Sequence, residues 1–234
     1  MRIPRIYGFN KSSESGPDSF GISIFLNGCN MKCPYCMNSR VCEAVPDLEI
    51  VPLGTIKEYV MDNEIDWITI SGGEPTLANL ESLLELIEVM QSWGCSINLC
   101  TNGTYPEKLS KLIKAVEYVT MDFKIADAAL YSRWTKNGDS LALEKVTLSK
   151  SMLLAEKQER DAFDYEIRTT LIPEYVNKKM VSEINSIIVP NERWILQQFR
   201  QTPNVEDKTL TSYSEDEIKD LVKEISDKVE IRYI

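Results

Sequence analysis

Histidine is absent from the 234 residues, and this absence excludes several kinds of site. The chain cannot hold a zinc finger of the two-cysteine, two-histidine kind, a serine–histidine–aspartate triad or a histidine general base. Any catalysis must therefore depend on cysteine, carboxylate, lysine, arginine or a bound cofactor.

Long apolar runs and an excess of basic residues are also absent. No stretch approaches the ~18 apolar residues that a membrane span needs, and the polar segment after residue 10 does not fit a signal peptide. Lys and Arg number 26 against 36 Asp and Glu, which gives a net charge of −10. Phosphate backbones repel such a surface, so we expect neither a nucleic-acid nor a membrane partner. Six cysteines, three of them clustered, favour metal binding in the reducing cytoplasm.

The clustered cysteines stand in the run Gly28-Cys-Asn-Met-Lys-Cys-Pro-Tyr-Cys36. Iron–sulfur clusters usually take four cysteine thiolates, so a cluster held by three has one iron without a protein ligand. By analogy with catalytic zinc, such an open position is where chemistry can occur. A different interpretation uses Cys42, six residues further on, as a fourth ligand that closes a zinc or ferredoxin-like site.

Segments typical of strands and of helices alternate along the chain, which predicts a parallel sheet with right-handed crossovers. The predicted barrel strands are Ile22–Leu26, Trp67–Ile70, Ser96–Cys100, Tyr118–Asp122, Tyr165–Leu171 and Trp194–Phe199. Six strand–helix units, in a chain slightly shorter than the ~250 residues of a closed barrel, predict an α/β fold with a partial (βα)6 TIM-like barrel. We expect one domain over residues 1–234, with a cysteine loop at about 27–41 and a C-terminal helix and closing strand at about 214–234.

The unusual motifs fall at or just after the ends of predicted strands. They are the cysteine loop, Ser71-Gly-Gly-Glu-Pro75, Thr101-Asn-Gly103, Asp122-Phe-Lys124, Arg168-Thr-Thr170 and Gln197-Gln-Phe-Arg200. Because βα-barrels build their active sites at that face, we expect these motifs to meet in one site. Glycine allows close approach of backbone to a ligand, and strand alternation places Asp122 and Lys124 on the same face.

The cysteine run together with Ser71-Gly-Gly-Glu-Pro75 identifies the chain as a member of the radical S-adenosylmethionine (radical SAM) superfamily, and the resemblance covers nearly the whole chain. Thr101-Asn-Gly103 and Asp122-Phe-Lys124 resemble the glycyl radical enzyme activases, most closely the activating proteins of anaerobic ribonucleoside-triphosphate reductases. This resemblance implies an enzyme with one [4Fe-4S] cluster and SAM. Such an enzyme places a glycyl radical on a partner enzyme, with reduced flavodoxin or ferredoxin as the electron donor.

The resemblance also implies residue roles. The cluster ligands are Cys29, Cys33 and Cys36, and no catalytic residue is expected beyond the cluster and SAM. In the family, the equivalent of Tyr35 lies beside adenine, Glu74 and the preceding carbonyls meet the ammonium of SAM, Asp122 meets the ribose and Lys124 the carboxylate. The full set of expected SAM contacts is Tyr35, Gly72, Gly73, Glu74, Thr101, Asn102, Asp122, Lys124, Arg168 and Gln198.

Some positions depart from the activase pattern or have more than one interpretation. Cys100 stands where pyruvate formate-lyase activases carry an Asp that helps to bind a monovalent cation. Those activases also carry a histidine near SAM on the last barrel strand. This chain has none, so Gln197, Gln198 or Arg200 would have to take its role. Arg168 either meets SAM or substrate, or forms a structural salt bridge.

Three further expectations concern burial and function. Glu74, Asp122 and Lys124 are expected at the barrel mouth as solvated charges that add little stability, and Cys95 and Cys100 as inert packing. A second enzymatic interpretation is a radical SAM enzyme that acts on a small molecule, in the manner of the 7-carboxy-7-deazaguanine synthases. A third is a non-enzymatic iron–sulfur or zinc protein.

Overall fold

The computed structural model describes residues 3–16, 19–43, 48–225, 227 and 229–233. It contains one eight-stranded sheet with helices packed against it. The strands are β1 (Ile6–Gly16), β2 (Ser19–Leu26), β3 (Trp67–Gly72), β4 (Ser96–Thr101), β5 (Tyr118–Asp122), β6 (Asp164–Leu171), β7 (Trp194–Gln198) and β8 (Glu230–Arg232). The helices are α1 (Ser39–Cys42), α2 (Leu53–Asp62), α3 (Leu80–Gln91), α4 (Pro106–Leu112), α5 (Ala128–Trp134), α6 (Ala142–Glu159), α7 (Lys178–Asn185) and α8 (Glu215–Val222).

The order of the strands in the sheet follows their order in the chain. Strands β2 to β8 are parallel, and β1 pairs antiparallel with β2. Within the described ranges β1 and β8 are the two edges and do not pair with each other, so the sheet is open. This confirms the predicted partial barrel of the α/β class.

The parallel strands carry apolar side chains on the face that the helices cover. Ile68, Ile70, Ile97 and Leu99 on β3 and β4 are fully buried, as expected for strands of a parallel sheet. Helix α3 turns a stripe of apolar side chains toward them, and Asn79 caps its first turn by accepting a hydrogen bond from Ser82 N. This packing fixes the carboxyl ends of β3 and β4, where the predicted motifs lie.

All six predicted barrel strands are present, with ends that differ by up to three residues. The capping box of Ser214 and Glu217 at the start of α8 is also present. The missed elements are β1, α2 and α5, and also α1, the single turn that carries Cys42. Strand β1 was not predicted because its second half is polar. Its first half nevertheless packs on the core: Ile6 is buried, and the ring of Phe9 lies 5.1 Å from that of Tyr59.

Within the described segments, no helix has both the length and the apolar character that crossing a membrane requires. The extent of the domain, 1–234, stays a prediction.

Candidate active site at the carboxyl ends of the strands

A cavity of about 240 Å³ lies at the carboxyl ends of the strands, much more room than one water molecule or metal ion needs. All thirteen residues predicted for the cluster or for SAM line it. The structure therefore brings these residues together, while the role of each stays a prediction. The lining residues outside the predicted set are Met31, Met37, Asn38, Cys42, Ser71, Cys100, Thr170, Gln197 and Phe199.

The cysteine loop presents Cys29, Cys33 and Cys36 to this cavity, each of them half-buried. Cys42, at the end of α1, joins them: its Sγ lies 3.6 Å from that of Cys36. Among the described residues, no three cysteine or carboxylate side chains converge as ligands of one metal ion would. An iron–sulfur cluster takes one thiolate on each iron, so three separate thiols around a cavity fit a cluster.

The four thiols differ in their tendency to ionise. A hydrogen bond from Cys42 lowers the pKa of Cys29, and a similar one lowers the pKa of Cys36 to about 7. Hydrogen bonding with these two neighbours raises the pKa of Cys42. Burial raises the pKa of Cys33 to about 12, although a coordinating metal removes the proton from such a thiol. The single S–H of Cys42 can serve one neighbour at a time, so it favours a thiolate at Cys29 or at Cys36.

Two asparagines that the sequence analysis did not assign fasten the cysteine loop to the strand ends. Asn38 Nδ2 donates to the carbonyl of Gly72 at 3.1 Å. Asn30 Oδ1 accepts from Asn102 Nδ2 at 2.9 Å, and its own Nδ2 donates to Thr104 Oγ1 at 2.8 Å. Their position inside or next to the cysteine run could have predicted this role, because a loop that holds a cluster needs polar side chains to anchor it.

The glycines of the Gly-Gly-Glu turn make close backbone contacts within the chain itself. Gly72 has a φ of +106°, and a Cβ there would lie 2.4 Å from the carbonyl oxygen of Leu26. A Cβ on Gly73 would lie 1.8 Å from the carbonyl oxygen of Gly28. Both distances are far below van der Waals contact, so only glycine fits. The turn after β3 therefore packs directly on the start of the cysteine loop.

The expectation that Glu74 is a solvated charge at the barrel mouth is wrong. The residue is only 2% exposed. Its Oε1 accepts from Thr76 N, Thr76 Oγ1 and Thr101 Oγ1 at 2.6–3.1 Å, and its Oε2 accepts from Asn102 N at 2.7 Å. Burial raises the pKa of Glu74, and these hydrogen bonds oppose that rise. The carboxylate thus ties the ends of β3 and β4 together, which strand alternation alone could not reveal.

Asp122 lies between two cations at the end of β5. Its Oδ1 accepts from Arg168 Nε at 2.8 Å, and its Oδ2 from Lys124 Nζ at 3.0 Å. Burial acts to raise the pKa of Asp122, but the charges of Arg168 and Lys124 outweigh it and hold the pKa below its usual range. Lys124 is only 9% exposed, so the expectation of a solvated lysine is wrong as well. Arg168 forms the salt bridge that was one of its two interpretations, and it also lines the cavity.

The aromatic and amide positions are more varied. Tyr35 is buried, with its ring edge-to-face against Trp134 and Lys124 Nζ 5.9 Å from its centre. Gln198 reaches the cavity but donates through Nε2 to the carbonyl of Tyr213 at 2.9 Å.

The two remaining cysteines differ from each other. Cys95 is buried and donates to the carbonyl of Ile65, as packing would require. Cys100 is half-buried and lines the cavity, while burial raises the pKa of its thiol to about 11; its inertness stays a prediction.

Comparisons with known proteins identify the family. The model of the radical SAM superfamily matches residues 23–146. A Methanocaldococcus jannaschii protein, named as an inferred glycyl-radical enzyme activating enzyme, is 32% identical over 93% of this chain and 91% of its own length. A 7-carboxy-7-deazaguanine synthase of Clostridium acetobutylicum is 26% identical over 70% of this chain and 74% of its own.

The fold has solved counterparts. A radical SAM methyltransferase from Sphaerobacter thermophilus superposes with a TM-score of 0.68 at 14% identity, over 91% of this chain and 66% of that one. Such low identity supports the fold alone. The superfamily model covers more than half of the chain, and the M. jannaschii protein matches nearly all of it. The chain therefore belongs to the radical SAM superfamily, as an enzyme related to the glycyl-radical enzyme activating enzymes.

Proposed function

We propose that this protein uses a [4Fe-4S] cluster and SAM to generate a glycyl radical on a partner enzyme, an anaerobic ribonucleoside-triphosphate reductase. The observation that carries the proposal is one cavity in which three cysteines face the Asp122–Lys124–Arg168 cluster. The 32% identity to an inferred glycyl-radical enzyme activating enzyme supports the choice of substrate class.

The residues divide into a cluster side and a SAM side. Cys29, Cys33 and Cys36 would hold the cluster, and the Cys42 thiol would donate to the Cys36 thiolate, 3.6 Å away. Lys124 is the cation that would meet the carboxylate of SAM, since its ammonium keeps its charge: burial lowers its pKa, but Asp122 raises it by more. Asp122 would accept from ribose hydroxyls. The carbonyls before Glu74 would meet the SAM ammonium, while Glu74 itself positions them.

A reduced cluster held by Cys29, Cys33 and Cys36 would supply the electron for reductive cleavage of SAM, and bound SAM would supply the chemistry of hydrogen-atom abstraction. The chain's own residues orient SAM and exclude water. The hydrogen abstraction needs no protein acid or base, which agrees with the absence of histidine. Reduced flavodoxin or ferredoxin is the proposed electron donor.

The decisive experiment mixes the reconstituted, reduced protein with SAM and the candidate reductase under anaerobic conditions. We expect a glycine-centred doublet by electron paramagnetic resonance and deoxyadenosine in step with the radical. Rapid SAM cleavage without a radical on any glycyl radical enzyme of the same cell would reject the activase proposal.

Matched cysteine variants test the cluster. Cys33→Ala is expected to abolish SAM cleavage, whereas Cys42→Ala keeps the full iron content. The fourth thiol lies close enough to Cys36 to make this control essential. If Cys42→Ala loses iron as completely as Cys33→Ala, the site is closed by four cysteines, and the zinc or ferredoxin-like interpretation replaces this one.

A second candidate function is the conversion of a small molecule, in line with the match to a 7-carboxy-7-deazaguanine synthase. Product analysis separates the two, because a synthase releases a new metabolite and an activase leaves a radical on a protein.

A further inference from the structure

Gln197 on β7 has an unexplained carboxamide in the cavity wall. The residue is 8% exposed and lines the cavity. Within the described residues its Oε1 has no hydrogen-bond partner. A buried acceptor without a partner costs folding free energy, and its presence in a native structure calls for an explanation. A ligand that donates a hydrogen bond to this oxygen would explain it.

The register of the sheet places Gln197 beside two other polar residues. Gln197 pairs with Thr170 across β6 and β7, and Arg168 lies two residues before Thr170 on the same strand face. All three residues line the cavity. We call Arg168, Thr170 and Gln197 the β6–β7 wall. Gln198 pairs with Leu171 instead, and its Nε2 already donates to a backbone carbonyl.

The hydrogen-bonding groups of this wall are available to a ligand. Arg168 uses Nε for Asp122, and the described residues accept no hydrogen bond from its other nitrogens. The hydroxyl group of Thr170 makes no hydrogen bond with the described part of the chain. The wall therefore offers guanidinium donors, a hydroxyl that can donate or accept a hydrogen bond, and a carboxamide acceptor.

The charge of the wall favours a neutral ligand. Asp122 offsets the charge of Arg168, and Lys124 is assigned to the carboxylate of SAM. An anionic group would meet no unopposed cation there, and its oxygens cannot donate to Gln197 Oε1. A peptide unit is neutral and carries one N–H donor and one C=O acceptor, which matches the wall.

We infer that the β6–β7 wall binds the main chain of a polypeptide substrate, with Gln197 Oε1 accepting a hydrogen bond from a peptide N–H at or next to the reacting glycine. This inference rests on the proposed function and assigns Gln197 to substrate specificity. The cysteine loop follows β2, and the predicted SAM contacts other than Arg168 and Gln198 lie in that loop or at the ends of β3 to β5. Gln197 is two strands further on, toward the other margin of the open sheet.

The test compares Gln197→Met, which keeps the length of the side chain and removes its polar atoms, with the wild type. Gln201→Met, at an exposed position beyond β7, is the matched control. The probe is a synthetic peptide with the radical-forming glycine and flanking residues of an anaerobic ribonucleoside-triphosphate reductase. Its binding to the reconstituted protein with SAM is measured by fluorescence anisotropy. We expect Gln197→Met to weaken peptide binding by about fivefold to tenfold, the effect of one neutral hydrogen bond.

Two other readouts separate this role from a structural one. The SAM dissociation constant of Gln197→Met is expected to equal that of the wild type. Its midpoint of urea unfolding is expected to be equal or higher, because an unsatisfied buried acceptor has been removed. A carboxamide can also pair with the edge of adenine, so weaker SAM binding with unchanged peptide binding would overturn the inference in favour of the cofactor. A clear loss of stability would overturn it in favour of a structural role.

N-methylated peptides identify the donor. The glycine and each of its two neighbours are replaced in turn by the N-methyl residue, which removes one N–H. At one position the methyl group is expected to weaken binding to the wild type and to have a much smaller effect on Gln197→Met. Equal effects on both proteins at all three positions would reject the hydrogen bond.

The wild-type radical assay distinguishes the possible failures. If the wild type forms the glycyl radical and Gln197→Met binds the peptide equally well, this inference fails and the proposed function stands. If the wild type forms no radical on any glycyl radical enzyme, the proposed function itself fails.

Discussion

Two neighbouring layers of the barrel interior each hold an acidic residue next to cations, but they use it differently. In the lower layer, Glu166 on β6 accepts two hydrogen bonds from Arg232, at 3.1 and 3.2 Å, and its side chain is 5% exposed. In the upper layer, Asp122 accepts one bond from Arg168 and one from Lys124, and its side chain is 26% exposed. The lower carboxylate is enclosed, and the upper one faces the cavity.

The difference shows how one barrel separates stability from binding. Tyr118, Thr120 and Arg232 surround Glu166 with hydrogen bonds, so its groups are satisfied by the protein itself. Two residues further along β5 and β6, Asp122 and Arg168 keep exposed edges, and Gln197 Oε1 has no hydrogen-bond partner among the described residues. Polar groups that the fold satisfies stabilise the fold, whereas those left incomplete can bind a ligand.

The largest effect is expected from Glu166→Ala in the enclosed layer. The change removes the carboxylate opposite Arg232 and costs about 3–5 kcal/mol of unfolding free energy, as for other broken buried ion pairs. Urea unfolding measures the loss, and SAM affinity of the folded variant is expected to remain at the wild-type level. A loss below about 1 kcal/mol would show that the two layers do not differ in this way.

Glu74→Gln tests a third carboxylate, which belongs to the site by position but resembles Glu166 in its burial. An amide nitrogen would replace an oxygen that accepts from Thr76, Thr101 or Asn102, so the unfolding free energy is expected to fall by about 2–3 kcal/mol. Glu88→Gln, on the exposed face of α3, is the control and should change little. Wild-type stability of Glu74→Gln, together with weaker SAM binding, would restore the original expectation of a solvated ligand.

Asp122→Asn is expected to affect binding more than folding. Asn can still accept one hydrogen bond, so the loss of unfolding free energy is about 1–2 kcal/mol, less than for Glu166→Ala. SAM affinity is expected to fall by about tenfold because the proposed ribose acceptor and the anchor of Lys124 are both weakened. Isothermal titration at matched cluster content measures the affinity. Unchanged affinity in both Asp122→Asn and Lys124→Ala would remove the activase-like role of this strand.

The smallest effect is a dependence on pH. Because Arg168 and Lys124 hold the pKa of Asp122 below its usual range despite burial, its ion pairs stabilise the fold at pH values above the unfolded pKa of about 3.9. That contribution is lost as the pH falls through the lower folded pKa. The stability difference between wild type and Asp122→Asn should therefore shrink below about pH 4. A difference that stays constant down to pH 3 would contradict this assignment.

The barrel could be predicted because its parallel strands read as short apolar runs between helices with regular apolar stripes. The carboxyl ends of such strands meet at one edge, so Cys29, Glu74 and Asp122 were correctly expected near one another. Strand β1 could not be predicted in the same way, because an antiparallel edge strand is stabilised by pairing with β2 and tolerates polar residues.

What the sequence did not reveal depends on three-dimensional register. The pair Gln197 and Gln198 shows this: alternation places them on opposite faces, but only the pairing with β6 shows which one lies beside Thr170. The burial of Glu74 depends on Thr101 and Asn102, which are more than 25 residues away along the chain. Cys42 reaches Cys36 because a single helical turn, α1, folds it back.

The contact between Gly73 and Gly28 has a consequence for how this protein can change during evolution. Main-chain atoms set the distance between the cysteine loop and the turn after β3, since any Cβ on Gly73 would overlap the Gly28 carbonyl. The side chain of Asn38 adds one hydrogen bond across this contact, to the carbonyl of Gly72. Met37, which is more than one third exposed beside the cavity, can therefore be exchanged to suit a different partner surface while the two segments keep their spacing.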